Sequence, residues 1–257
     1  MLPWVVAINT FREAVRDRVL YNLVFFALLM IAAAVMVGQI SIGIERLVIV
    51  NLGLSSISIF GLVMAIFIGV GLVHKEMEKR TLYSLLSKPI RRWEFLAGKY
   101  AGLLLTLLVN TALMTVGLLA AILYVSHHFV RADFVVLVVV YFILLKLALV
   151  TALALFFSCF STPMLSTMFS LGIYVAGIFA ADIRALGQMS QSPMIGGLMT
   201  FLYYLLPNFH NFDAIAAAAH GTHIPFSLVL SNTAYAAAYI AVVLLAASAT
   251  FSRRNLK

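Results

Sequence analysis

Long apolar runs separated by short polar segments dominate the chain. Six runs approach or exceed the about 20 residues that a helix needs to cross a bilayer core. They cover residues 19–38, 48–73, 101–125, 134–157, 164–181 and 227–251. Each predicts a membrane-spanning helix. No internal repeat relates them, so an inverted-repeat carrier is not supported. The expectation is one all-α polytopic membrane domain over residues 1–257 with six transmembrane helices.

The polar segments carry structure of their own. In residues 1–18, Trp4, Ile8, Phe11 and Val15 recur at helical spacing, with Asn9, Arg12, Glu13, Arg16 and Asp17 on the other face. This predicts an amphipathic helix lying in the membrane interface, its arginines towards lipid phosphates. Thr10 and Glu13 fit a capping box. No apolar stretch precedes these charges, so no secretory signal is expected.

Residues 74–99 join the second and third runs. Glu76 and Arg80 stand at i,i+4 in the favourable order. Met77, Thr81 and Leu85, with Leu82 and Leu86 on the adjoining edge, form an apolar stripe. Pro89 ends this short helix and pushes Lys88 towards extended backbone. A second amphipathic helix runs through Trp93, Phe95 and Leu96 into the third run. Trp93 and Tyr100 are expected in an interfacial aromatic belt. A striped helix of this kind can lie on a membrane or enter a groove on a partner. A plain topogenic loop fits the charges equally well.

Residues 182–226 are not a simple loop. Residues 194–206 are apolar but too short to cross, and they stop at Pro207. A second short helix is expected at 213–219, before Gly221 and Pro225. Both pieces read as re-entrant helices of the outer leaflet. At the other membrane face, Pro163 suits the first turn of the fifth span after a tight hairpin.

Composition agrees. Hydrophobic residues make up 64% of the chain and charged residues 10%, against about 25% charged in soluble domains. Mean hydropathy is +1.09. A net charge of +8 raises nucleic acid as a partner, but the basic residues cluster beside apolar runs, as membrane topology requires. Of 17 basic residues, all but Arg46, Arg131, Lys146 and Arg184 fall at one face if both termini share it. The positive-inside rule makes that face cytoplasmic. The single cysteine, Cys159, excludes an intrachain disulfide.

The pattern Glu76-x-Glu78-x-x-Thr81-Leu82-x-x-Leu85-Leu86-x-x-Pro89-x-x-Arg92, followed by Gly98-Lys99, resembles the loop between the second and third spans of type-2 ABC transporter permeases. The six-span plan, the N-terminal elbow helix and the re-entrant helices resemble that family too. The chain is similar to its small stand-alone permeases, among them the one serving nitrous-oxide-reductase maturation. The resemblance implies a permease subunit in the cytoplasmic membrane, paired with a second copy and with a separate ATP-binding-cassette ATPase. ATP and magnesium would sit on that ATPase; this chain would bind no cofactor directly. Glu76, Glu78, Thr81 and Leu82 would belong to a coupling helix, with Leu85 and Leu86 as its apolar contacts. Pro89, Arg92, Gly98 and Lys99 would shape the return to the membrane. Export is the implied direction.

Other features were weighed beside this. Gly98-Lys99 lacks the earlier glycine and the Ser/Thr of a phosphate-cradling loop, so ATP is expected on another polypeptide. Lys146 lies mid-span, where an ionisable group is costly and marks a functional site by default. It could meet an anionic substrate in a cavity, or hydrogen-bond to neighbouring groups. His127, His128, His210, His220 and His223 show no metal-ligand spacing, and no metal site is expected. Glu76-x-x-x-Arg80 is also similar to an element of certain intramembrane proteases, but no His-Glu-x-x-His exists, and no catalytic residue is expected. The competing reading is a carrier or membrane-anchored scaffold that works without an ATPase.

Overall fold

The computed structural model describes residues 2–41, 43–78, 92–127, 133–189 and 192–253. Among them the regular structure is helical. Helix α1 (Leu2–Val15) leads through a turn at Arg16 and Asp17 into α2 (Arg18–Ile40). Asp17 caps α2 by accepting from the Val19 N–H at 3.1 Å. Helices α3 (Glu45–Glu78), α4 (Arg92–Ser126) and α5 (Asp133–Ser158) follow.

Beyond α5, the hairpin predicted before Pro163 is present, and α6 (Pro163–Ile178) begins on that proline. The fifth span does not run straight through residues 164–181. It stops at Ile178, and α7 (Ala180–Met189) leaves at a bend of 54°. A 16-residue helix rises only about 24 Å, less than the about 30 Å hydrocarbon core. The bent pair is a sixth candidate crossing, beside five helices long and apolar enough to cross alone. Helices α8 (Pro193–Leu205) and α9 (Ile215–His220) match the two short helices expected there, with a 3-10 turn, Phe209–Phe212, between them. Helix α10 (Phe226–Arg253) closes the chain.

The bundle is built around α3 and α5. In each, 61% of the span is buried, against 28% in α2 and 17% in α10. Helix α5 is apolar on all sides, which suits a central position. Gly61 and Gly69 of α3 stand against Leu147 and Ala154 of α5, a small-residue contact that brings the two helices close.

Both ends of the chain reach the same end of the bundle. Phe95, in the first turn of α4, stacks on Phe251 near the end of α10 at 6.3 Å, and α1 packs along the start of α4. The link from α2 to α3 and the re-entrant segment lie at the far end.

Helix α1 is amphipathic as expected, with one face more than predicted. Ala7, Thr10 and Ala14 are buried, while Trp4 and Val5 are exposed. The small residues dock on Gly102 of α4. A Cβ at Gly102 would stand 2.5 Å from the Ala7 carbonyl oxygen and 2.7 Å from the Thr10 Cβ. The capping box at Thr10 and Glu13 is overturned, because Thr10 lies in mid-helix with its side chain in this contact.

Candidate functional site

Polar groups gather at three levels of the bundle. At the termini end, α3 continues to Glu78, past Val73 where the apolar run ends. That overhang is about 8 Å at 1.5 Å per residue. Glu76 and Glu78 lie on it. Arg92 opens α4, which runs unbroken into the third span, as predicted from Trp93, Phe95 and Leu96. Thr81, Leu82, Leu85, Leu86 and Pro89 lie outside the described residues.

Gly98 and Lys99 are buried. The Lys99 ammonium stands 5.8 Å from the centre of the Phe95 ring, within cation–π range. Thus Lys99 belongs to the packed base of the bundle, beside the Phe95–Phe251 stack. Tyr100 corrects the aromatic-belt expectation. Trp93 is exposed, but Tyr100 is buried and donates to the Ala148 carbonyl of α5 at 3.1 Å. A buried phenol needs a hydrogen-bond partner, and here it ties α4 to α5.

At mid-bundle, Lys146 is 6% exposed and donates from Nζ to Ser58 Oγ of α3 at 2.7 Å. The ammonium therefore lies between the two central helices. Asp213 follows the 3-10 turn, and α9 just after it packs on both α3 and α5.

At the far end, Arg46 of α3 and Asp133 of α5 form an ion pair of 2.7 Å. Beside it, α10 carries a ladder of polar side chains. Asn232 Nδ2 donates to the Asn211 carbonyl at 2.7 Å, and Tyr239 OH donates to the Leu205 carbonyl at 2.8 Å. Tyr235 OH accepts from the Asn208 N–H at 2.9 Å. These backbone groups lie where α8 ends and the 3-10 turn begins, so regular structure cannot pair them all. Non-helical backbone at membrane depth persists only where protein or water satisfies it. The turn also sits hard against α6: a Cβ on Gly177 would collide with the Pro207 carbonyl oxygen.

The ion pair and the ladder were both missed in the sequence. Asn232, Tyr235 and Tyr239 share one helical face of an otherwise apolar span, and that spacing was a usable signal. Arg46 and Asp133 are far apart in sequence and gave none. Among the described residues, no three His, Cys, Asp or Glu side chains come together as metal ligands would.

The groups so assembled join helices and hold irregular backbone. They define a polytopic membrane protein with an ordered segment of short helices at one end and the overhang of α3 at the other. The family model described as "ABC-2 family transporter protein" matches residues 4–256. The chain belongs to that family, as a membrane transport component of the ABC permease class. The match is to the family as a whole and does not extend to nitrous-oxide-reductase maturation. A search of curated proteins gave no match.

Proposed function

We propose that the chain is the membrane subunit of an exporter, driven by ATP hydrolysis on a separate ATP-binding-cassette subunit that carries the nucleotide and magnesium. Two copies would line the substrate path, in the cytoplasmic membrane with both termini in the cytoplasm. Family membership over residues 4–256 carries this reading. Two further facts support it. The basic residues concentrate at the termini end, as the positive-inside rule asks of a cytoplasmic face. The overhang of α3 and the start of α4 also bracket residues 79–91 at that same end, which suits a helix presented to a partner.

In this reading Glu76, Glu78, Thr81 and Leu82 belong to the coupling helix, and Leu85 and Leu86 are its apolar contacts with the ATPase. Pro89, Arg92, Gly98 and Lys99 return the chain to the bundle. Movement of the re-entrant segment would bring the substrate path to Lys146. Unchanged transport in Lys146→Met would remove that last element alone.

The deciding experiment co-expresses the chain with the cassette ATPase encoded nearest to its gene and purifies through a tag on the permease. ATPase should co-purify in equal amount, and Leu85→Asp with Leu86→Asp should abolish capture while the permease still inserts. A permease that captures no ATPase, or captures it regardless of those changes, would sink the proposal in favour of an ATPase-independent carrier or scaffold.

A further inference from the structure

A crevice of about 140 Å³ opens between the α1–α2 elbow and α3. Leu20, Leu23, Met64 and Ile68 wall it. Its walls are mainly apolar, with the Asp17 side of the turn as the polar edge. Its rim includes Val19 and Phe67, which are 53% and 58% exposed. Both belong to membrane spans, so the crevice opens sideways into lipid. Asp17, the cap of α2, also lines it, with Arg16 and Arg18 on either side in sequence. These charges stand where the apolar run of α2 begins, so the crevice sits where headgroups meet the hydrocarbon zone.

A second, polar groove of about 390 Å³ runs along α1 beside Asn9, Arg12, Glu13 and Arg16. Arg16 of the groove and Asp17 of the crevice are neighbours in the turn between α1 and α2. Three exposed arginines, Arg12, Arg16 and Arg18, surround this junction. Two carboxylates oppose them, and that of Asp17 is engaged in capping α2. An apolar slot with a basic rim at headgroup depth matches one molecule in two parts, an acyl chain and a phosphate.

We propose that this elbow is a binding site for an anionic phospholipid, with part of one acyl chain in the crevice and the phosphate on the arginines of α1 and α2. The lipid would wedge the elbow against α3 and fix the angle between α1 and α2.

Two substitutions fill the slot. A Cβ at Gly71 meets nothing within 4 Å, so Gly71→Leu grows into the crevice without a clash. Val19→Trp blocks the mouth from an exposed position. Arg12→Gln with Arg16→Gln removes the basic groove.

The full-length chain is placed in phosphatidylcholine nanodiscs with and without phosphatidylglycerol. Retained lipid is read by native mass spectrometry, and folding by the thermal midpoint. Wild type should keep one phosphatidylglycerol in preference to phosphatidylcholine by roughly thirtyfold, as two arginines at a membrane surface warrant. Both filling variants should lose the retained lipid yet keep their midpoint in pure phosphatidylcholine. The double arginine variant should lose the headgroup preference. The proposal is overturned if either filling variant folds and retains phosphatidylglycerol like wild type, or if the two lipids are kept equally. It is also overturned if inorganic phosphate alone reproduces the stabilisation, since the ligand would then be a free anion.

Discussion

Arg46 and Asp133 pair at 2.7 Å across the far end of the two central helices, with Asp133 4% exposed and Arg46 27%. The asymmetry matters. The carboxylate is dry, so removing the guanidinium takes the cation of this pair from a buried charge, whereas removing the carboxylate leaves an arginine that can turn to water. Arg46→Gln should therefore destabilise more than Asp133→Asn. Because Arg46 is partly solvated, its loss should cost about 2 kcal/mol, below the range for fully buried pairs. Thermal unfolding in nanodiscs separates the two variants, and equal midpoints would contradict this account.

The Lys146–Ser58 hydrogen bond predicts a similar asymmetry with the signs set by charge. Ser58→Ala leaves the buried ammonium short of a partner, at a cost of about 1–3 kcal/mol. Lys146→Met removes the charge, and Ser58 can then turn to a carbonyl of its own helix. The methionine variant should therefore be as stable as wild type or more so. If Asp213 holds the re-entrant segment through this charge, Asp213→Asn should cost stability in wild type and little in Lys146→Met. A double-mutant cycle on the unfolding midpoints measures that coupling; additivity would leave Asp213 no part in it.

The ladder on α10 should govern how tightly the re-entrant segment is held. Tyr239→Phe frees the Leu205 carbonyl, and Tyr235→Phe frees the Asn208 N–H. Each should cost roughly 0.5–1.5 kcal/mol, the usual worth of such bonds in a membrane. The effect should be local. Hydrogen exchange should accelerate over residues 205–213 and stay unchanged in α3 and α5. Uniform acceleration would mean that the tyrosines serve the whole bundle.

What could be read in the sequence followed from the bilayer. Lipid leaves the backbone no partner but itself, so each crossing must be a long apolar helix, and such runs are visible without knowing their neighbours. Lys146 was visible for the same reason, as a charge where none is cheap. Its partner was not: Ser58 is an ordinary small polar residue on another helix. The bend after Ile178 was hidden too, because it depends on Gly177 meeting Pro207, and apolar counting is blind to direction. Trp4, Ile8 and Phe11 revealed α1 as amphipathic, but Thr10 looked like a cap because its real contact is Gly102. In the candidate coupling segment, Glu76 and Glu78 continue the helix of the second span instead of opening a separate short one, and the family pattern remains the ground for the roles of Thr81 to Pro89.

Gly102 gives the most direct test of how α1 is held. Its missing side chain lets the Ala7 carbonyl and the Thr10 methyl-bearing carbon sit on the α4 backbone. The obstacle to a larger residue is partly backbone, which cannot rotate aside as a flexible side chain can. Gly102→Val should force α1 off α4 and cost about 1–3 kcal/mol, the usual penalty of overpacking. In a helix interior, replacing glycine otherwise gains a few tenths of a kcal/mol or more, so a loss of stability would report the contact and not the propensity. Thr10→Gly should recover part of the loss by vacating the space its Cβ fills. A cysteine pair across α1 and α4 reports the separation directly: crosslinking should fall in Gly102→Val and return with Thr10→Gly. If crosslinking is unaffected by Gly102→Val, α1 is held by lipid and not by this contact.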